Sequence, residues 1–341
     1  MKSLKENPKV AFVSQPEYFR FMYEHDLDDF AEVREIKLTY SMDVEHFSDL
    51  LDYNADFNVF FRGEYVPGEV LQKLNGIKIN LSSEPFPREI GGRIESTADS
   101  LERYHLFKQI RNKPYDYVFH YDGSSLNYML KDGLKLSGEF AFPVATSVYK
   151  PIATPKEWDF LFIGRSTEHR ELFFGPLKHY YNFLHIAHGI WGADLVRYIN
   201  AARICLNVHA ENEISWEPRL QMMLACGAFV ISEPVTPNNY LRPGMDYIEV
   251  SGKDEMYKTA SYYLGNETER NKIAESGYSR VQELLNSNKV FKKFFEDIVK
   301  DRYPRFEAQP GRLFQQSAEG TLIKMRHLYK KIFKYPSENK V

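Results

Sequence analysis

The sequence predicts an α/β protein of two domains, each a parallel sheet covered by helices. Three observations predict it. At 341 residues and 40.0 kDa, the chain is longer than one hydrophobic core usually serves. Short apolar, β-rich runs alternate with longer stretches of helical period. A proline-rich crossing interrupts that alternation near the middle, after which it starts again.

In the first half, strands are expected at Val10–Ser14, Glu35–Tyr40, Phe57–Arg62, Ile77–Leu81 and Tyr117–Tyr121, with a helix over Thr97–Asn112. Several of these runs end at a polar cluster, and the carboxyl ends of parallel strands face the ligand crevice of an open sheet. Pro143, Pro151 and Pro155 fall within Phe140–Trp158. Proline fixes φ and pushes its predecessor toward extended backbone, so this stretch reads as a semi-rigid crossing. The second half offers strands at Asp159–Gly164, Phe183–Ala187, Ile204–His209, Ala228–Ser232 and Tyr247–Val250. Helices are expected at Arg170–Tyr181, Ala193–Ala202, Glu217–Cys226, Glu255–Leu264, Glu267–Leu285 and Lys289–Lys300. The expected domains are 1–145 and 156–300, followed by a helical tail, 301–341.

Composition narrows the class. A net charge of −3 and a pI near 6.4 give no basic field for nucleic acid. Cys205 and Cys226 sit in apolar runs and read as buried thiols. With no signal-peptide pattern and no apolar run near the ~20 residues of a membrane helix, a cytoplasmic protein is expected. The ten histidines show no metal-ligand spacing, so no metal is expected; His185 and His188 lack a completing carboxylate or thiol. VAFVSQPEYF lacks the G-x-G-x-x-G of a dinucleotide-binding dehydrogenase.

Two stretches can carry chemistry. In DFLFIGRSTEHRE a buried strand ends at Gly164, followed by Arg165, Ser166 and a helix start. A glycine admits close approach, and free N–H groups beside a cation suit a diphosphate, although an ordinary turn reads the same way. In ICLNVHAENEISWEPRLQMMLACGAFVISE a strand delivers Asn207 and His209 to its carboxyl end. A polar loop follows, and a helix opens at Glu217-Pro218. Leu220, Met223 and Leu224 form its core face, Glu217 and Gln221 share another face, and Gly227 reads as its C-cap.

The pattern E-P-R-x-x-x-x-x-A-C-G-A-x-V-I-S resembles the retaining GT-B glycosyltransferases, closest to the CgeB-like, or spore-maturation-like, family. AFPVATSVYKP resembles that family's interdomain crossing and DFLFIGR its first C-terminal-domain strand. LRPGMDYIEV with ETERNKIAESGYSRVQELL resembles its last strand and helices. The likeness runs from about Tyr115 to Val299. It implies the GT-B fold, in which two Rossmann-like domains face an interdomain cleft. It also implies a hexosyltransferase acting with retention, a nucleotide-sugar donor as co-substrate, and no further cofactor. Gly164, Arg165, Ser166, His209, Glu217, Arg219, Gln221 and Gly227 would then lie at the donor. One position departs from the family: Met222 stands where a second Glu usually grips the ribose, with Gln221 beside it as a neutral substitute.

The N-terminal half is expected to supply the acceptor side. Glu84, His120 and Asp122 follow buried strands and are the candidates for acid–base work on a glycan, lipid or protein acceptor. Two other readings stay open: a non-catalytic subunit of the same fold that binds nucleotide sugar or glycan, and a sugar-nucleotide epimerase. In the tail, residues 321–334 place apolar and basic positions at helical spacing. They read either as a helix packed on the domains or as a peripheral membrane contact.

Overall fold

The computed structural model describes residues 3–39, 44–210 and 215–309. The tail segment 321–334, with its expected membrane contact, lies outside them. Among the described residues no helix is long and apolar enough to cross a membrane.

The first sheet contains β1 (Lys9–Ser14), β2 (Glu32–Lys37), β3 (Phe57–Phe61) and β4 (Ile77–Ser82). After a small antiparallel hairpin, β5 (Arg88–Ile90) and β6 (Arg93–Glu95), come β7 (Tyr117–His120) and the two-residue β8 (Gly138–Glu139). The order is β2-β1-β3-β4-β7-β8, all parallel, with Ser82 paired to His120 and His120 to Glu139. The second sheet contains β9 (Trp158–Ile163), β10 (Phe183–Ile186), β11 (Ala202–Asn207), β12 (Val230–Ser232) and β13 (Ile248–Glu249). Its order is β10-β9-β11-β12-β13, again parallel throughout.

Period-two alternation explains how each sheet is covered. Val10 and Phe12 face a core that runs through both halves of the molecule, while Ala11 and Val13 face a second core on the outer side of the first sheet. Phe160, Phe162, Ile204 and Leu206 face a third core, on the outer side of the second sheet.

The helices are α1 (Pro16–Phe19), α2 (Ser48–Tyr53), α3 (Gly68–Lys73), α4 (Ala98–Phe107), α5 (Gly123–Lys131) and α6 (Glu168–Tyr180). They continue with α7 (Gly192–Ala201), α8 (Pro218–Ala225), α9 (Lys253–Gly265), α10 (Glu267–Leu284) and α11 (Ser287–Val299). Thr97 caps α4 through a reciprocal exchange with Ser100.

Several elements depart from the sequence expectation, and the short helices α1, α2 and α3 are additional to it. The strand expected at Glu35–Tyr40 lies at Glu32–Lys37, because it alternates between exposed and buried positions and carries no continuous apolar run. α5 and the hairpin are additional, and β8 is too short to leave a pattern.

The crossing is pinned near its start. Val144 N–H donates to Leu285 O at 2.8 Å, and Ser287 N–H donates to Val144 O at 3.1 Å, so the chain's two passages between the halves lie side by side. Asp26 accepts from the backbone N–H groups of Thr146 (2.9 Å) and Ser147 (2.7 Å). α11, the second passage, packs on the first sheet: Phe291 meets Phe12 edge-on at 5.3 Å, and Phe295 stacks on Phe57 at 4.5 Å. Beyond α11, Phe306 is buried in the outer core of the first half, and its N–H donates to Asp116 O at 2.8 Å.

Candidate functional site

In the second sheet the strand order reverses between β9 and β11, and ligands bind at the carboxyl side of such a switch point. Gly164 follows β9 there with φ +142°, a backbone that L side chains rarely adopt. A Cβ at Gly164 would lie 3.2 Å from an Arg219 Nη and 3.3 Å from an Arg170 Nη, so the glycine makes room for two guanidinium groups. His185 Nε2–H donates to Gly164 O at 2.7 Å and fixes the turn.

Both arginines lie over the Phe162 ring, at 4.9 Å for Arg170 and 5.2 Å for Arg219. Arg170 donates to Val208 O (3.0 Å) and Arg165 O (2.9 Å). Arg219 donates to Asn207 Oδ1 (2.7 Å), Val208 O (2.9 Å) and Ile163 O (3.3 Å). Together they tie the carboxyl ends of β9 and β11 to the starts of α6 and α8. Burial, and then the Arg219 charge, draw Arg170 down to about 10. Sequence reasoning passed over Arg170, because an arginine in a helix ordinarily reads as a surface residue.

Glu217 occupies the N-cap of α8 and pairs with Arg219 at 3.1 Å. Burial pushes its carboxyl up, but Arg219, His209 and Arg170 outweigh burial and hold it below the ordinary carboxylate value. His209 is buried, its Nε2–H donates to Pro234 O at 2.6 Å, and its Nδ1 faces Glu217 at 3.5 Å. Glu233, which the sequence did not single out, accepts from His209 N–H (2.7 Å) and from His169 Nε2 (2.9 Å). Arg165 and Ser166 are exposed on the turn. Ser166 Oγ donates to Glu171 at 2.6 Å, whereas the Arg165 side chain has no partner among the described residues. The structure therefore gathers Gly164, Arg165, Ser166, His209, Glu217 and Arg219 at one strand edge.

Two of the expected donor residues are not among them. Gln221 is fully buried, and its amide N–H groups go to Phe142 O and Pro143 O, both at 2.9 Å. Its Oε1 accepts from Trp216 Nε1 at 3.0 Å, so the side chain ties α8 to the crossing. Gly227 ends α8 at the far end from Glu217. Its φ of +68° and the 3.2 Å from a Cβ there to Pro151 explain the glycine by turn geometry and packing.

The N-terminal candidates lie in three different surroundings. Glu84 is ion-paired with Arg62 at 2.5 Å and with Arg103 on its other oxygen, which ties it into a charge network. Asp122 caps α5, accepting from Ser124 N–H at 2.8 Å and Ser125 Oγ at 3.4 Å. His120 differs from both. It is buried at the end of β7 and stacks on Phe86 at 4.8 Å, and neither ring nitrogen has a partner among the described residues. Burial drives its pKa down to about 3, against a smaller upward pull from the Ser82 backbone, so the ring is neutral. Among the described residues no three His, Cys, Asp or Glu side chains converge as a metal site.

The carboxyl edges of the two sheets meet. Tyr121, Phe142, Trp216, Pro237, Tyr240 and Leu285 wall a narrow apolar slot between the halves. At the interface Asn239 Nδ2–H donates to Glu139 Oε1 at 3.1 Å, from the second half to the first.

Residues 149–296 match a family model described as glycosyl transferase-like. No curated protein matches the chain. Among solved structures, the Anabaena protein HepE in complex with UDP and glucose is similar with a TM-score of 0.62 at 8% identity, over 86% of this chain and 100% of that one. Sucrose-phosphate synthase from Thermosynechococcus elongatus gives 0.57 at 11%, over 87% and 99%. An alpha-glucosyltransferase in complex with UDP-glucose and DNA containing an abasic site gives 0.56 at 9%, over 86% and 100%. The fold is that of the GT-B glycosyltransferases.

Proposed function

We propose that this protein transfers a hexosyl group from a nucleotide-sugar donor to an acceptor hydroxyl, with retention at the anomeric carbon. One observation carries the reading. At the switch point between β9 and β11, a glycine with positive φ, an Arg165 with no partner among the described residues, the braced Arg170–Arg219 pair and the starts of two helices converge. Such a site takes a diphosphate, because helix N-termini and cations stabilise the charge that develops on the leaving group. The family match and the UDP-bound neighbours support the same donor class.

In the reaction the bond from the anomeric carbon to the diphosphate oxygen breaks, and its electron pair leaves with the diphosphate. The acceptor oxygen bonds to the anomeric carbon and its proton passes to the departing phosphate. Arg165 neutralises the leaving group. Glu217, paired with Arg219 and beside the buried His209, sets the α8 side of the site and presents its carboxylate to the nucleotide. His120, neutral and with neither ring nitrogen partnered among the described residues, is the remaining acceptor-side candidate for a hydrogen bond to a sugar hydroxyl.

UDP-glucose tests the reading. A true donor at 100 times its dissociation constant adds about 2.7 kcal/mol of stability, seen as a rise in melting temperature, and UDP is released on incubation. Arg165→Ala should lower kcat at least about tenfold with little change in melting temperature. A lower melting temperature at an unchanged rate per folded molecule would make Arg165 structural. A second reading, binding without turnover, draws on Met222. This thioether, packed on the core, stands where the resembling family carries a carboxylate. A thermal shift with no UDP release would favour it, and interconversion of UDP-glucose with another UDP-sugar would mark an epimerase.

A further inference from the structure

We infer that Glu139 and Asn239, one from each half, form the seat that holds the acceptor, and that the acceptor is itself a carbohydrate. The inference rests on the transfer reading above.

Of the carboxylates near the cleft edge of the first sheet, Glu84 is neutralised by two arginines and Asp122 is committed to capping α5. Glu139 is different. It ends β8, beside His120 in the strand register, and among the described residues its side chain carries a single hydrogen bond, from Asn239 to Oε1. Its Oε2 has no partner among the described residues. That oxygen lies 2.9 Å from where a Cβ on Gly123 would stand, so the carboxyl occupies space that any side chain at position 123 would take. Burial, together with the Asp122 charge, raises the Glu139 pKa, while the Asn239 hydrogen bond pulls the other way.

The chemistry around the pair fits a sugar. A carboxyl beside a primary amide offers acceptors and donors in the spacing that neighbouring ring hydroxyls present. Tyr240, next to Asn239, belongs with Tyr121 and Trp216 to the aromatic walls of the slot, and aromatic rings offer flat apolar faces to the C–H side of a sugar ring. The slot itself has room for little more than a water molecule. The acceptor therefore sits at the rim, on the half-buried Glu139 and the exposed Asn239, and not inside the slot.

The experiment uses the full chain with UDP-glucose, alone and with glucose, galactose, N-acetylglucosamine or maltose in excess. Both released UDP and glycosylated product are measured. The wild type should transfer to at least one sugar. Glu139→Gln and Asn239→Ala should each lower the ratio of transfer to hydrolysis about tenfold or more and raise KM for the sugar, and Glu139→Asp should restore part of it. UDP release with no sugar product from the wild type overturns the acceptor class. A transfer-to-hydrolysis ratio unchanged in both variants overturns the seat, as does an equal loss of both reactions. If the wild type neither binds nor cleaves UDP-glucose or another nucleotide sugar, the transfer reading itself fails, which none of those outcomes imitates.

Discussion

His120 shows how one buried side chain ties stability to pH. In the folded chain its pKa lies near 3, whereas the ordinary value is 6.5. Between these values the unfolded chain binds a proton that the folded chain refuses, so stability falls as pH drops through 6.5, by at most about 1.4 kcal/mol per pH unit. Wild-type melting temperature should therefore decline more steeply in mild acid than that of His120→Phe, which has nothing to titrate there. Parallel curves for the two proteins would mean that His120 has a solvated partner. At this scale the sequence was partly legible. Gly164, Arg165, Glu217 and Arg219 follow strong strands or open a helix, so the sequence places them at one strand edge. Glu84, Asp122 and Gln221 carry the same side-chain types, and only the structure shows the ion pairs, cap and carbonyls that each one meets. Glu139 left no trace, because a two-residue edge strand has no period to read.

At the scale of elements, the long central strands were legible because both faces are buried, giving runs such as VAFV and DFLFI. α8 was legible from its proline and its Leu220, Met223 and Leu224 spacing. What the sequence hid is how α8 meets the crossing. Gln221 supplies both N–H groups to the carbonyls of Phe142 and Pro143, and it also receives the Trp216 indole. Gln221→Met keeps the shape but strands these buried groups, at about 1–3 kcal/mol for each group left unpaired. Urea unfolding should show that loss as a lower midpoint at a similar slope. Gln221→Glu should be worse than Met, since a carboxylate would face two carbonyl oxygens. If both variants unfold like the wild type, water has replaced the amide and the tie is not structural.

For the whole molecule, the adjoining passages at Val144 and Ser287 define a narrow axis between two sheets whose strand ends face each other. Rotation about it can widen the cleft without breaking the Val144–Leu285 and Ser287–Val144 hydrogen bonds. Small-angle scattering should show a smaller radius of gyration with saturating UDP-glucose, while hydrogen exchange keeps the Val144 and Ser287 amides protected in both states. An unchanged radius on saturation would mean that the cleft is preformed. The repeated α/β rhythm announced two sheets, but their dependence on each other was not legible. It arises from contacts such as Phe291 with Phe12, between residues far apart in the chain.

Those contacts also bear on how the molecule is made. The first sheet is translated early, yet the aromatic face carrying Phe12, Phe57 and Phe119 is covered by α11 and by Tyr303, which are synthesised after the whole second sheet. On the ribosome the N-terminal half therefore emerges with an open apolar face and waits for about half the chain to be translated before it can close. The second sheet, contiguous in the chain, can complete itself first, and a nascent chain paused before Ser287 would be the natural client of a chaperone that recognises exposed aromatic surface.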